Sequence, residues 1–133
     1  MAGTAGYSGK PLWQKLGLKP GMTCLPRNPP APYETLVEGA ESIDFVEKGP
    51  ADLVHLFCSM RAELDAGIGP ALDAVAPGGM LWVSWPKKSS ALFRDLTEDG
   101  LREVILPTGW VDMKVCAVDA DWSGLKFMRR KRR

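Results

Sequence analysis

The chain has 133 residues, of which 45% are apolar and 25% charged, with a formal net charge of +1. These values are typical of a globular protein and exclude a largely disordered or fibrous chain. The length fits one domain that can bury an apolar core without disulfides or bound metals.

The positive charges are distributed unevenly along the chain. Lys126 and residues 129–133 supply six of the 17 positive charges, which leaves residues 1–125 with eleven against all 16 acidic groups. We expect residues 1–9, which are small and glycine-rich, to form a flexible arm. Residues 10–129 are expected to form a single α/β domain, and residues 130–133 a basic tail.

The three cysteines, Cys24, Cys58 and Cys116, lie too far apart in the sequence to match metal-ligand spacing. Each falls in a predicted strand, so we expect buried free thiols and no metal site. The N-terminus lacks the charged start and apolar core of a secretion signal, and no segment approaches the roughly 20 apolar residues of a membrane span. A cytoplasmic protein without membrane contact is expected.

The first predicted elements are short. Residues 10–16 favour a helix with Pro11 in its first turn, and residues 22–25 favour a strand. Residues 33–37 are predicted to form one or two helical turns, and residues 42–47 alternate apolar and polar side chains as a second strand nearer an edge.

Longer elements follow. Residues 51–58 predict a strand that leads into a helix with Ser59 as N-cap. Gly67, Gly69 and Pro70 predict a kink in that helix, or a second helix opened by Pro70. Residues 80–85 are typical of a central strand buried on both faces, and Pro86 is expected to end it.

The last elements predict a helix and a hairpin. Thr97 is the expected N-cap of a helix that carries Glu98 and Asp99 in its first turn. Residues 111–117 alternate as a fifth strand, and residues 122–128 return as a sixth. The element order therefore predicts a single-domain, Rossmann-like three-layer α/β sandwich, whose mostly parallel sheet ends in an antiparallel C-terminal hairpin.

The closing hairpin resembles the C-terminal half of the S-adenosylmethionine-dependent methyltransferase fold, over roughly residues 51–129. That fold needs a glycine-rich loop after its first strand, whereas residues 26–32 of this chain contain prolines and no glycine. We therefore expect no obligatory cofactor, and the sequence identifies none. Glu47 follows the second predicted strand, where nucleotide folds place a ribose-binding acid, and is expected to be a surface charge.

Several segments also resemble a family of small bacterial proteins classed as a domain of unknown function. The resemblance implies a Rossmann-like, methyltransferase-like fold and brings no established activity. Residues 27–32 resemble the family least, because a less proline-rich turn is typical there. The segments that carry the resemblance are residues 6–12, 15–21, 81–89 (Leu-Trp-Val-Ser-Trp-Pro-Lys-Lys-Ser), 95–99, 111–119 and 122–125.

A ligand site is predicted at the carboxyl edge of the parallel strands. The loops after the first, third and fourth predicted strands converge there, and they bring cations and hydroxyl or amide groups that suit a phosphate or carboxylate. The alternative is that the lysines of this set are solvated loop charges. The predicted ligand-binding residues are Arg27, Asn28, Ser59, Arg61, Lys87, Lys88, Ser89 and Ser90.

No catalytic residue is predicted. His55 is the one histidine of the chain and lies inside an apolar strand, so we expect a hydrogen-bonded core residue. Ser84 and Lys87 match the pattern Ser-x-x-Lys in letters, but the companion motifs and the helix-borne serine of that pattern are missing.

The sequence thus favours a non-catalytic binding or regulatory module for a small anionic ligand or a protein partner. One alternative is a divergent S-adenosylmethionine-dependent transferase that uses the same crevice. Another, less favoured because the tail has no interleaved aromatic residues, is nucleic-acid binding through Arg129, Arg130, Lys131, Arg132 and Arg133. Exposed tryptophans among Trp13, Trp85, Trp110 and Trp122 would indicate a partner surface, and buried ones a core.

Overall fold

The computed structural model describes residues 10–130, so the expectations for residues 1–9 and 131–133 lie outside it. The strands of the described part are β1 (Thr23–Arg27), β2 (Asp44–Phe45), β3 (Ala51–Phe57), β4 (Val75–Pro86), β5 (Trp110–Ala117) and β6 (Trp122–Arg129). The helices are α1 (Leu12–Leu16), α2 (Tyr33–Leu36), α3 (Arg61–Ala74) and α4 (Glu98–Ile105), which continues into a 3-10 turn (Leu106–Thr108).

The strands form one sheet in the order β2-β1-β3-β4-β6-β5. The pairs β1–β2, β1–β3 and β3–β4 are parallel, whereas β6 runs antiparallel to both β4 and β5. The predicted α/β fold with a closing antiparallel hairpin is confirmed. The hairpin does not simply extend the sheet, because its second strand inserts beside β4 and leaves β5 at the edge.

Helices cover both faces of the sheet. On one face α3 and α4 pack against β3 and β4, with Leu56, Leu64, Val83 and Leu101 in the shared core. On the other face α1 and α2 pack over a second core that contains Trp82. The central strands are therefore apolar on both sides, as the run over residues 80–85 predicts.

The start of α3 differs from the prediction. Met60, not Ser59, is the N-cap residue, and the helix begins at Arg61. The Glu63 carboxylate accepts hydrogen bonds from the backbone N–H groups of Ser59 and Met60, at 2.7 and 3.2 Å. An acid in the first turn of the helix thus accepts hydrogen bonds from the backbone N–H groups that precede the helix, including that of the N-cap residue.

The interior of α3 excludes one of the two predicted arrangements. The helix runs unbroken for 14 residues with Pro70 inside it, so Pro70 does not open a second helix. Leu64, Ile68 and Ala71 are buried from this one helix. Burial of a continuous apolar stripe against the sheet outweighs the local cost of proline and glycine in a helix.

The central strand β4 is longer than predicted, because it begins at Val75 directly after α3. The register with β3 shifts between Ala51 and Leu53, so the chain bulges there. A side chain at Gly79 would place its Cβ 2.7 Å from the carbonyl oxygen of Asp52. Glycine therefore lets β4 pass close to β3 ahead of residue 80, where the predicted strand begins.

The edge strand β5 is only partly buried. Its Trp110 is buried, whereas Met113 and Val115 are 53% and 48% exposed.

The tryptophans are mostly part of the core. Those buried there are Trp82, Trp85, Trp110 and Trp122, and Trp13 is partly exposed. None of the helices between residues 10 and 130 has the length and apolar character that crossing a membrane requires.

Candidate functional site

The carboxyl end of β4 opens onto a pocket of about 420 Å³, which we call the edge pocket. It lies between the loop after β4, the start of α4 and the start of β6. The side chains of Lys87 and Lys88 form part of its wall. The lining residues are Trp85, Lys87, Lys88, Thr97, Glu98, Asp99 and Ser123.

The loop that carries the two lysines is held by the turn between β5 and β6. The backbone N–H of Lys87 donates to the carbonyl of Asp121 at 2.8 Å. The Ser90 hydroxyl donates to the Asp121 carboxylate at 2.8 Å, and its N–H donates to the carbonyl of Lys87. These hydrogen bonds fix the loop at both ends. Lys87 and Lys88 therefore lie next to each other at the carboxyl end of β4.

The helix α4 supplies the opposite wall. Thr97 caps it as predicted, because its hydroxyl oxygen accepts a hydrogen bond from the N–H of Gly100 at 3.1 Å. The acids of the first turn contact Arg102, with distances of 2.7 Å from Glu98 and 3.6 Å from Asp99. The carboxylates in the pocket wall are thus already paired with a cation.

Arg102 also connects α4 to the edge strand. Its guanidinium donates to the Asp112 carboxylate at 2.8 Å. This hydrogen bond raises the pKa of Arg102 and lowers the pKa of Asp112. The network fixes the helix start against the hairpin and so fixes the shape of the edge pocket.

The other predicted ligand-binding residues lie elsewhere. Arg27 lines a separate cavity of about 420 Å³ beside the end of α3, together with Lys48 and Asp73. Asn28 follows β1 in a left-handed conformation with φ of 58°. Ser89 is exposed in the same loop as the two lysines but does not line the edge pocket, and Ser90 holds that loop.

Ser59 and Arg61 are hydrogen-bonded to acidic side chains. The Ser59 hydroxyl donates to Glu63 at 3.2 Å, and hydrogen bonds from Ser59 lower the pKa of Glu63. The Arg61 backbone N–H donates to Asp95, and its guanidinium donates to Glu103 at 3.1 Å. The structure therefore brings Lys87 and Lys88 together in the edge pocket but not Arg27, Ser59 or Arg61.

The described part of the basic tail continues β6. The Arg129 guanidinium lies 4.9 Å from the centre of the Trp110 ring, in a cation-π contact. The backbone N–H of Arg130 donates to the carbonyl of Gly109 at 2.9 Å. Lys131, Arg132 and Arg133 lie outside the described residues, so the tail stays a prediction.

Buried polar side chains from α2, β3 and β4 are joined by hydrogen bonds. The Tyr33 hydroxyl lies 2.8 Å from Nδ1 of His55, and Nε2 of His55 lies 2.6 Å from the Ser84 hydroxyl. His55 and Ser84 are fully buried, and burial lowers the pKa of His55 to about 3. The expectation of a hydrogen-bonded core histidine is confirmed.

Sequence reasoning did not find this network as a unit. The signals available were two polar residues, His55 and Ser84, each inside an apolar strand, and neither indicates which partner it meets. The partner atoms come from three separate elements, and the fit needs Gly124, whose Cβ would lie 3.1 Å from the Ser84 hydroxyl.

Cys24 and Cys58 are buried as predicted, whereas Cys116 is only partly buried. Cys24, Cys58 and Cys116 are unpaired, and burial raises the pKa of Cys24 and of Cys58 to about 12. Burial also raises the pKa of Cys116. Across residues 10–130, no three His, Cys, Asp or Glu side chains are grouped as metal ligands.

No protein-family model matches the chain, and no curated protein is significantly similar to it. The fold, in contrast, is similar to that of many solved structures. An S-adenosylmethionine-dependent methyltransferase from Aquifex aeolicus superposes with a TM-score of 0.59 at 14% identity, over 87% of this chain and 86% of that one.

Two further solved structures are similar over comparable lengths. The ribosomal protein L11 methylase of Lactobacillus delbrueckii subsp. bulgaricus has a TM-score of 0.58 at 12% identity, over 90% and 76% of the two chains. Magnesium protoporphyrin IX methyltransferase of Synechocystis PCC 6803, with bound S-adenosylmethionine, has a TM-score of 0.56 at 12% identity, over 89% and 74%. The chain therefore has the methyltransferase-like Rossmann fold that its sequence predicts.

Proposed function

We propose that the protein is a non-catalytic binding module that holds a small anionic ligand, such as a phosphate or carboxylate, in the edge pocket. The observation that carries the proposal is the pair Lys87 and Lys88 in a pocket whose acids, Glu98 and Asp99, are already paired with Arg102. Lysine ammonium groups donate charge-assisted hydrogen bonds to oxyanions such as phosphate and carboxylate. The hydroxyl groups of Thr97 and Ser123 add hydrogen-bonding partners.

The absence of catalysis is inferred from what lines the pocket. Its walls hold lysine, threonine, serine, acid and tryptophan side chains, and the acids are in ion pairs. The imidazole of His55 and the hydroxyl of Ser84 are both 0% exposed, so neither side chain reaches this pocket. A non-catalytic role accords with this distribution of reactive groups.

A divergent S-adenosylmethionine-dependent transferase is the second candidate, because the solved structures with similar folds include methyltransferases. The end of β1 and the loop that follows it do not fit that cofactor. Four of the seven residues from Pro26 to Pro32 are prolines, which have no N–H to donate and leave no glycine for close backbone approach.

Tyr33 then closes the space behind that loop. It is 3% exposed, and its ring makes edge contacts with Phe45, His55 and Phe57 at centroid distances of 5.5 to 6.2 Å. Aromatic packing thus occupies the region next to the first loop. This filled edge favours the binding module over the transferase.

The test is a titration of the whole protein with inorganic phosphate, followed by amide chemical shifts. We expect shifts at Lys87, Lys88 and Ser123, and we expect them to disappear in the double variant Lys87→Ala/Lys88→Ala. Lys19→Ala/Lys48→Ala is the matched control, because both of these lysines are exposed and lie outside the edge pocket.

S-adenosylmethionine is the second ligand of the same experiment. A ligand present at 100 times its dissociation constant adds about 2.7 kcal/mol of stability, which raises the melting temperature by a few degrees. We expect no such rise with S-adenosylmethionine. A higher melting temperature with S-adenosylmethionine, together with no phosphate-dependent shifts at Lys87 and Lys88, would favour the transferase over the binding module.

A further inference from the structure

Two lysines face each other across the antiparallel hairpin. Lys114 of β5 and Lys126 of β6 are register partners, so their side chains emerge on the same face, with Cβ atoms about 5 Å apart. A third lysine approaches from α1, where the ammonium group of Lys15 donates to the carbonyl of Ala117 at 3.0 Å. We call Lys15, Lys114 and Lys126 the lysine cluster.

The cluster lies on the sheet face that α1 and α2 cover. Lys126 is in register with Trp82 of β4, whose indole N–H donates to the carbonyl of Leu16 at the end of α1. The neighbours of Lys126 on its strand, Leu125 and Phe127, belong to the opposite core. The face therefore changes from apolar under α1 to basic beyond it.

The cluster is electrostatically unfavourable as it stands. Like charges directly opposite on neighbouring strands destabilise a sheet. Between residues 10 and 130, neither Lys114 nor Lys126 makes a salt bridge, whereas Arg61 and Arg102 each contact at least two acids. Asp112 faces the other side of the sheet, opposite Phe127, where Arg102 holds it.

Partial burial adds to this cost. Burial and the charge of Lys114 both lower the pKa of Lys126. Burial raises the pKa of the Cys116 thiol, and the charges of Lys15 and Lys114 lower it. The positive charges of Lys15 and Lys114 therefore both reach the Cys116 side chain.

We propose that the lysine cluster binds a compact, multiply charged oxyanion of the pyrophosphate type. An oxyanion with several charges can accept hydrogen bonds from more than one ammonium group and remove their mutual repulsion. A compact ligand is expected because Lys114 and Lys126 are direct register partners and Lys15 lies on the same face. This site is separate from the edge pocket, which lies at the end of β4 beside Ser123.

The test is calorimetric titration of the whole protein with pyrophosphate at low salt, with amide shifts to locate the site. We expect binding to shift the amides of Lys114, Cys116 and Lys126. The double variant Lys114→Gln/Lys126→Gln should bind about tenfold more weakly or worse, because it loses two charge-assisted contacts. Lys19→Gln/Lys48→Gln removes the same charge elsewhere and should bind like the wild type.

Thermal unfolding without ligand gives a second measurement on the same variants. Relief of the like-charge pair should leave Lys114→Gln/Lys126→Gln at least as stable as the wild type. Pyrophosphate should stabilise the wild type and the control Lys19→Gln/Lys48→Gln, but not Lys114→Gln/Lys126→Gln. Unaltered pyrophosphate binding in this variant would overturn the inference. So would shifts confined to Lys87 and Lys88, or binding of a single-stranded oligonucleotide at the cluster without binding of pyrophosphate.

Discussion

The buried group formed by Tyr33, His55 and Ser84 illustrates what one residue can decide in this fold. A polar side chain inside an apolar strand is costly unless each of its polar atoms has a partner. His55 meets this condition through both ring nitrogens, at 2.8 and 2.6 Å, and it stacks on Phe57. The network therefore specifies how β3, β4 and α2 fit together.

The burial of His55 gives stability a defined dependence on pH. The pKa of His55 is about 3 in the folded protein against 6.5 for an ordinary imidazole, so the unfolded chain binds this proton more tightly. The free energy of unfolding should be constant for this group above pH 6.5 and should fall as the pH decreases from 6.5 towards 3. Urea denaturation should give a loss approaching about 1.4 kcal/mol per pH unit below about pH 6.

Between pH 5 and 6.5, the effect of His55 on the free energy of unfolding can be distinguished from that of the carboxylates. The pKa values of Glu63 and Asp112 are lowered from 4.5 and 3.8, so these acids contribute mainly below about pH 4.5. His55 is the only histidine, and the variant His55→Gln should lose most of the slope between pH 5 and 6.5. Equal slopes in the variant and the wild type would contradict this assignment.

At the scale of elements, α4 is the clearest case in which local sequence and structure agree. Its cap and acidic first turn follow from the sequence pattern, and its Leu101 and Ile105 are fully buried. The contrast is α3, where Pro70 was one expected start of a second helix and instead lies inside a continuous one. Local rules determined the short, capped helix, whereas packing against the sheet determined the long one.

The cap of α4 can be tested on its own. Thr97→Ala removes the acceptor for the N–H of Gly100 and should lower the free energy of unfolding by about 1 kcal/mol. Thr97→Ser keeps the hydroxyl oxygen and should stay close to the wild type. Urea denaturation measures both, and equal stability of the alanine and serine variants would show that the cap contributes nothing.

At the scale of the whole molecule, the protection of backbone amides from hydrogen exchange should depend on the position of each strand in the sheet. β3 and β4 have paired neighbours on both sides and cores on both faces, whereas β2 has two residues and pairs only with β1. Opening of β2 exposes little apolar surface, so it should cost much less free energy than opening of the centre.

Native-state hydrogen exchange tests this arrangement. We expect the amides of β3 and the second half of β4 to exchange only through global unfolding. The amides of Asp44 and Phe45 should exchange through local opening and show a weak dependence on denaturant. Protection of β2 equal to that of β4 would mean that the sheet opens as one unit.

The sequence by itself determined the α/β class, the order of elements, the buried central strand, the cap at Thr97 and a core role for His55. Each of these depends on periodicity or on residues close together in the chain. Only the tertiary structure decided that β6 lies between β4 and β5, that α3 continues through Pro70, and that His55 meets Tyr33 and Ser84. It also separated Arg27 from Lys87 and Lys88, and it brought Lys114 opposite Lys126. These features depend on contacts between residues distant in the chain, and no local pattern encodes such contacts.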